Sequence, residues 1–309
     1  MSELLPIACP RCRVRLDLSG PTVSCSGCDA VYRRETHWDL IPGFAYADDE
    51  TAPRHTEEGG ERLRAERFYL SLLREVATAT GRRLSDLRIL DDGCGFGAAV
   101  ERLRQEGVEA VGVDVGWRSR DWSNRKPPWP YLRADGRALP FEDGSFDAVF
   151  SFGVIEHVGI EGESGASEIV APDYREHRAR YVAEALRVLR PGGAAVFQQP
   201  NGTCPVDFWH YSGRIPARLH SPRQPFLPRF SELREWALAA VPDARVEALS
   251  PQRTLAFERI SRWWYGRLFT GLMKTLFALM QPRPLRFLAR SPLNPFIVAV
   301  VRKPGRDAL

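Results

Sequence analysis

Hydrophobic and polar positions alternate in two rhythms along this chain, and the order of those rhythms predicts the fold. Short apolar runs of strand length, Arg88–Asp91, Ala110–Asp114, Asp147–Ser151 and Ala194–Gln198, are separated by stretches with helical spacing, about Ala98–Glu106 and Tyr174–Leu189. That alternation predicts a parallel sheet covered by helices on both faces, an α/β domain. Upstream, Leu63, Phe68, Leu72, Leu73 and Val76 recur at near-helical spacing and predict a helix over Glu61–Thr80. Downstream, a helix near Glu232–Ala240, a strand at Ala244–Leu249 and a terminal strand at Pro295–Val301 depart from simple alternation.

Outside that body the pattern changes twice. Residues 1–44 read as short alternating strands broken at Gly20-Pro21, with little core of their own, and residues 45–60 are acidic and polar with Pro53 and Gly59-Gly60, the make-up of a linker. The main domain then occupies 61–309, with an aromatic, Arg-rich and Pro-rich insertion at about 253–293. Composition is that of a soluble globular protein, 44% hydrophobic and 27% charged. The net charge of +4 is too small to announce a nucleic-acid binder, but it is unevenly placed: between Arg253 and Lys303 ten Lys/Arg face one acid, Glu258.

Four of the six cysteines, Cys9, Cys12, Cys25 and Cys28, form two C-x-x-C pairs. The chain opens on Glu3 and these cysteines with no signal-peptide pattern, so a reducing cytoplasmic setting is expected, in which such pairs hold metal, with disulfides as the alternative. Four thiolates predict tetrahedral zinc with no open position, a structural site that replaces the missing core.

The chemistry-bearing stretch is Asp91-Asp92-Gly93-Cys94-Gly95-Phe96-Gly97. Glycines after a strand let the backbone turn sharply and approach a ligand closely, though dinucleotide-binding folds use a related turn. Asp114 ends the second strand, where ligands of open α/β sheets lie, with its carboxylate placed to accept from ribose hydroxyls. Taken in order, DDGCGFG, GVD, ADG, LPFEDGSFDAVFS, IEHV and LRPGG resemble the class I S-adenosylmethionine-dependent methyltransferases, in particular the ubiquinone- and menaquinone-methyltransferase-like subgroup. The likeness covers about Ile89–Val206, with a matching last strand at Phe296–Val301. It implies a Rossmann-like, seven-stranded sheet and S-adenosyl-L-methionine as methyl donor.

Carried over by position, the resemblance implies that Asp91, Gly93, Cys94, Gly95 and Gly97 pack against the donor's amino-acid part. It places the ribose at Asp114, the adenine amine at Asp135 and the adenine face at Gly136. Phe96 and Ala98 depart from the family's usual residues and alter the pocket wall. For each acid the plain alternative is a helix cap or turn former. Cys94 has a packing role as its alternative.

Because a sulfonium donor is pre-activated, the protein mainly aligns the transfer, and a general base helps if the acceptor is a hydroxyl. Two histidines are candidates: His210, after the fifth strand, and His157 in IEHV, which also has a pocket-shaping role open to it. Gly159–Asp173 reads as an extended loop, either a lid or a flexible insertion. Residues 257–280 carry aromatic and apolar residues with a narrow polar strip of Arg259, Arg262, Gly266, Thr270 and Lys274. They are too short to span a bilayer and suit either docking on the protein itself or a peripheral contact with the inner face of a membrane.

The cysteine module resembles the ribbons of certain ribosomal RNA guanine methyltransferases and of a small zinc-ribbon partner of tRNA and protein methyltransferases. That likeness extends only to the four cysteines and Ile41-Pro42. Three functions follow. The first is methylation, on oxygen or nitrogen, of a small-molecule, glycan or lipid-linked acceptor. The second is RNA methylation using the ribbon, although Gln199-Pro200-Asn201-Gly202 lacks the motif used on exocyclic base amines. The third is a non-catalytic binding partner, against which the intact Asp91, Gly93, Gly95, Gly97 and Asp114 argue.

Overall fold

A computed structural model of the chain describes residues 6–44, 54–126, 130–164, 167–210, 217–253 and 264–305. The cysteine module supplies β1 (Thr22–Ser24), β2 (Val31–Arg34) and β3 (Trp38–Asp39). Next come α1 (Arg54–Arg64), one π-helical turn at Ala65–Tyr69 and α2 (Leu70–Thr80). The alternating body holds β4 (Arg88–Asp92), α3 (Ala98–Gln105), β5 (Glu109–Asp114), β6 (Tyr131–Arg133), β7 (Phe146–Phe152), the hairpin β8 (Ile160–Ser164) and β9 (Ser167–Val170), α4 (Tyr174–Arg187) and β10 (Leu189–Pro200). The chain closes with the pair β11 (Val206–Asp207) and β12 (Arg218–Leu219), then α5 (Phe230–Ala240), β13 (Arg245–Ala248), α6 (Trp264–Leu279) and β14 (Phe296–Arg302).

Seven strands run in the order β6-β5-β4-β7-β10-β14-β13, five of them parallel, with β14 antiparallel to both of its neighbours. The expected Rossmann-like methyltransferase sheet is present. Alternation along β4 builds both faces: Leu90 joins the core under α4 and α5, while Ile89 joins the core under α2 and α3.

Three strands extend that sheet. β3 pairs in parallel with β6, setting Trp38 opposite Leu132 and Asp39 opposite Arg133, whose guanidinium holds Asp39 at 2.9 Å. Ile7 bridges Phe141, and Arg13 bonds the Leu139 carbonyl and pairs with Glu184 on α4 at 2.8 Å. The cysteine module therefore borrows its core: Ile7, Leu16, Tyr32, Trp38 and Leu40 are buried with Leu132, Leu139 and Phe141.

Three expectations are corrected. The linker ends early, because helix α1 starts at Arg54, within residues 45–60; the acids that read as linker composition pair with arginines after β5, Glu57 with Arg118 at 2.7 Å and Glu58 with Arg125 at 3.1 Å. Residues 45–53 lie outside the described residues. The 159–173 loop is a β-hairpin, antiparallel from Ile160↔Val170 to Ser164↔Ser167.

The strip assigned as the polar face of the insertion is partly inverted. Gly266 and Thr270 turn inward with Phe277 and Met280, whereas Leu268, Leu272 and Leu279 are exposed at 68%, 64% and 47%. Phe277, Met280, Ala289 and Phe296 form a small separate core that anchors α6 beside β14, which fixes the inward face. Residues 257–263, including Arg259 and Arg262, lie outside the described residues.

Since the cysteine module shares one core with the sheet, it should not unfold alone. Trp38→Ala is expected to cost the whole domain about 3–5 kcal/mol, read as one shifted transition in chemical denaturation followed by both fluorescence and circular dichroism. Two separated transitions would show an independent module.

Candidate functional site

The glycine stretch turns from β4 into α3 at the carboxyl edge of the sheet. Gly93, Gly95 and Gly97 all take positive φ, 85°, 57° and 79°, which side-chain-bearing residues resist. Close approach adds a second constraint: a Cβ on Gly95 would stand 2.5 Å from Glu61 Oε1, and one on Gly93 would stand 2.1 Å from Val154 Cγ2. Two neighbouring elements thus lean on the loop, α1 from one side and the turn after β7 from the other. Cys94 turns its thiol into the core, where a Cβ on Gly112 would meet it at 2.7 Å, so its part in the loop is packing.

Carboxylates crowd this edge. Glu61 accepts the amides of Phe96 at 3.0 Å and Ala98 at 2.7 Å and so caps α3 from a distance. Asp114 accepts from Gly95 N at 2.8 Å on one oxygen and from Gly116 N at 2.7 Å on the other, leaving each oxygen capacity for a further donor. Asp91 accepts from Tyr69 Oη at 3.3 Å, and Asp92 Oδ2 is buried without a partner. Burial pushes Asp91 up to about 7 in spite of the nearby Arg64 charge. Burial likewise pushes Glu61 up to about 8, and Asp92 up to about 8 with help from the charges of Asp135, Asp114 and Asp91. Asp114 is also raised, again by burial first. The edge is an acidic cradle that the loop amides and Arg64 offset only in part.

The structure brings Asp135 and Gly136 to that cradle by way of Asp92: a Cβ on Gly136 would lie 2.9 Å from Asp92 Oδ1 and 2.3 Å from the Tyr181 ring. Asp135 itself caps a short 3-10 turn through Arg137 N at 2.8 Å and pairs with the Arg137 guanidinium at 2.7 Å. Its carboxylate is engaged locally, the alternative the sequence also allowed.

The two candidate histidines meet. His157 Nε2 and His210 Nε2 are 3.4 Å apart, and His210 Nδ1 lies 3.0 Å from Asp207 Oδ2. Asp207 is fully buried; against the effect of burial, hydrogen bonding and charge from His210, together with the amides of Trp209 and His210, hold its carboxyl well below the usual range. Arg218 Nε also reaches it at 3.0 Å. Arg178, fully buried on α4, ties the two loops of this cluster together by donating to the carbonyls of Glu156, Val158, Pro225 and Phe226.

Glu61, Asp92, Glu156, Arg178 and Asp207 were passed over in the sequence. Glu156 and Asp207 had a signal, standing one and three residues before the chosen histidines. Glu61 and Arg178 had none, since helix periodicity gives no reason for a charge to turn inward.

The four cysteines form one cluster, their sulfurs within 4.8 Å of one another, with Cys9–Cys28 at 3.6 Å and Cys12–Cys25 at 3.4 Å. Ligands on a tetrahedral zinc–sulfur site stand about 3.8 Å apart for bonds of about 2.3 Å, so the set is able to hold a metal ion. Both knuckles turn through a left-handed residue, Arg13 at φ 67° and Asp29 at φ 56°, and Gly27 N points at Cys25 Sγ from 3.4 Å. Cys9 resists its burial and is drawn down to about 6 by Tyr32 Oη and the Cys12 and Arg11 amides. Cys12, although the Val14 amide favours its charge, is pushed up to about 12 by neighbouring sulfurs, Cys25 first. Four thiolates coexist here only around a cation.

Comparison with known proteins agrees with this geometry. Residues 90–197 match the family model described as a methyltransferase domain. An uncharacterized methyltransferase of Mycolicibacterium vanbaalenii is 29% identical over 186 residues, covering 55% of this chain and 66% of that protein. A phthiotriol/phenolphthiotriol dimycocerosates methyltransferase of Mycobacterium leprae is 28% identical over 175 residues, covering 55% of this chain and 57% of that protein. The chain thus spans less than two thirds of either relative's length. Among solved structures, phosphoethanolamine N-methyltransferase 2 of Haemonchus contortus, in complex with S-adenosyl-L-methionine, aligns with a TM-score of 0.44 and 19% identity over 83% of this chain and 59% of that chain. The residues 90–197 that match the family model lie in a sheet of the Rossmann-methyltransferase type.

Proposed function

We propose that this chain is an S-adenosylmethionine-dependent methyltransferase acting on a small-molecule or lipid-linked acceptor. The observation that carries the reading is the acidic cradle within the methyltransferase domain, at the carboxyl edge where ligands of such sheets lie. The donor, a doubly cationic sulfonium and ammonium compound with one carboxylate, supplies an activated methyl group when bound. Asp91, Asp92 and Glu61 present the negative charge that suits those cations, and Asp114 has oxygen capacity for its ribose. Arg64, whose Nε is buried without a hydrogen-bond partner, is the proposed contact for the donor carboxylate. The narrower likeness to ubiquinone- and menaquinone-type enzymes rests on the motif order alone. In the cysteine cluster we assign a structural zinc.

At the other end of the site, His210 is the proposed general base for a hydroxyl acceptor. Asp207 fixes its Nδ1 and leaves Nε2 directed toward His157. Arg178 ties the His157 loop to the Pro225-Phe226 segment, whose Phe226 ring packs against both histidines.

The acceptor class is argued from α6 and from the mycobacterial relative that acts on a dimycocerosate lipid. Leu268, Leu272, Leu279, Phe287 and Leu293 are exposed beside the exposed Arg267, Lys274, Arg283, Arg286 and Arg290, and no acid occurs between Trp264 and Gly305. An apolar row rimmed by cations suits the headgroup region of an anionic membrane. No described helix is long and apolar enough to cross one. The RNA reading draws on the ribbon and the basic segment together, yet these lie at opposite edges of the sheet, at β1–β3 and at β13–β14.

Three outcomes are expected. First, a cation binds best when the cradle is ionised, so donor affinity should rise about tenfold or more per cradle group between pH 6 and pH 8.5. The unliganded fold moves the other way: carboxyls near 4 in the unfolded chain and near 7 to 8 in the fold favour the fold less as pH rises across that window. Thermal shift by the donor should therefore be several degrees larger at pH 8.5 than at pH 6; a shift that shrinks with pH would refute the cradle. Second, His210→Ala should cut label transfer from radiolabelled donor into a cell extract by about 10²–10⁴-fold with donor affinity unchanged. Label that settles in RNA and not in lipid or small molecules would overturn the acceptor class. Third, the double variant L268E/L272E should abolish co-sedimentation with anionic liposomes at low salt while leaving the melting temperature in place; absence of binding by the unaltered protein would defeat the membrane contact.

A further inference from the structure

We propose that Glu156, His157 and His210 form a second metal site, distinct from the four cysteines, that takes a divalent first-row transition cation and binds an acceptor oxygen on it. The acceptor part rests on the methyltransferase reading above, whereas the metal site does not.

The geometry is that of ligands gathered on one point. Glu156 carboxylate oxygen, His157 nitrogen and His210 nitrogen all lie within 4.8 Å of one another. The two Nε2 atoms stand 3.4 Å apart, and two nitrogens bound to one tetrahedral ion at about 2.0–2.1 Å are separated by about 3.3 Å. His210 cannot turn away, because Asp207, fully buried and charged, holds its Nδ1 at 3.0 Å. A carboxylate on the far nitrogen of an imidazole is the usual support of a metal-bound histidine: it fixes the tautomer that leaves Nε2 with a lone pair and raises its basicity.

Glu156 supplies the independent observation. Its side chain is fully buried, and neither carboxylate oxygen has a hydrogen-bond partner among the described residues. Leaving such a group unsatisfied is expensive, and more so when it is charged. Arg178 lies near but does not bond the carboxylate: its donors go to four backbone carbonyls, one of them that of Glu156 itself. A cation between Glu156 and the histidines answers the orphaned oxygens and takes the place of the proton shared between the two Nε2 atoms.

Two nitrogens and one carboxylate suit zinc, manganese, iron or cobalt and not a calcium-type site built from oxygens alone. Three protein ligands also leave coordination open, unlike the closed cysteine cluster. The cluster follows the turn after β7, where Val154 leans on Gly93, so an oxygen held there lies on the acceptor side of the donor cradle. With the ion in place His210 is a ligand; without it, His210 is the base assigned above.

The test uses the full chain with its cysteine cluster first filled with zinc, then titrated with Co²⁺. One further equivalent of Co²⁺ is expected, with visible bands of nitrogen and oxygen ligation and no thiolate charge-transfer band. Glu156→Gln and, separately, His157→Ala should each weaken Co²⁺ binding at least tenfold while donor binding by calorimetry stays unchanged, which also certifies that the variants fold. No second equivalent, thiolate bands alone, or full-strength binding in both variants would overturn the site. Failure of the donor to bind the unaltered protein would instead overturn the methyltransferase reading and leave the metal site to stand or fall on the cobalt titration.

Discussion

Negative charge buried at the carboxyl edge of one sheet is the constraint around which the rest of this molecule is arranged. Asp91 and Asp92 end β4, Asp114 ends β5, and Glu61 arrives from α1, all with little exposure to water. Amides blunt part of that charge: those of Gly95 and Gly116 meet Asp114, and those of Phe96 and Ala98 meet Glu61. The remainder shows as carboxyls raised to about 7 and 8. Carboxyls buried at such a cost to stability are what a functional site commonly shows.

The second half of the site is built by opposite means. Around the histidines the charges are matched. Asp207 is met by His210 and Arg218, and Arg178 spends its donors on backbone carbonyls. The acidic edge is therefore short of positive charge, whereas the histidine cluster is held by matched pairs. Glu156 is the exception in that cluster, which is why it points to an ion.

Much of this was legible in the chain. Apolar runs of strand length marked β4, β5, β7, β10 and β14, because strands buried on both faces must be apolar throughout. The glycine loop and Asp114 were legible because backbone approach and strand-end carboxylates leave local signatures. Glu57, Glu58 and Glu61 were not: their partners Arg118 and Arg125 and the loop amides lie dozens of residues away, so their acidity read as solvation. The short strand β3 was hidden for the same reason, since two residues carry no periodicity and its pairing with β6 is set by tertiary contact. On α6, Gly266 and Thr270 were assigned to water from polarity alone, but small size lets them pack close to the domain while bulkier leucines are turned out.

That last inversion bears on where the protein works. Scattered exposed apolar residues are ordinary, but Leu268, Leu272 and Leu279 share one helix face in a segment that carries cations and no acid. Nothing in the packing of α6 required it, because Phe277, Met280 and Phe296 already anchor the helix. The ribbon presents the contrasting case: Ile7, Leu16, Tyr32, Trp38 and Leu40 are spent inward with Leu132, Leu139 and Phe141, while Val14 and Val31 are exposed at 38% and 44%, and the ribbon completes the sheet at one edge. Of the two modules added to the sheet, the ribbon shares the core under α4 and α5, whereas α6 keeps only a small core of its own beside β14 and leaves its leucine row exposed.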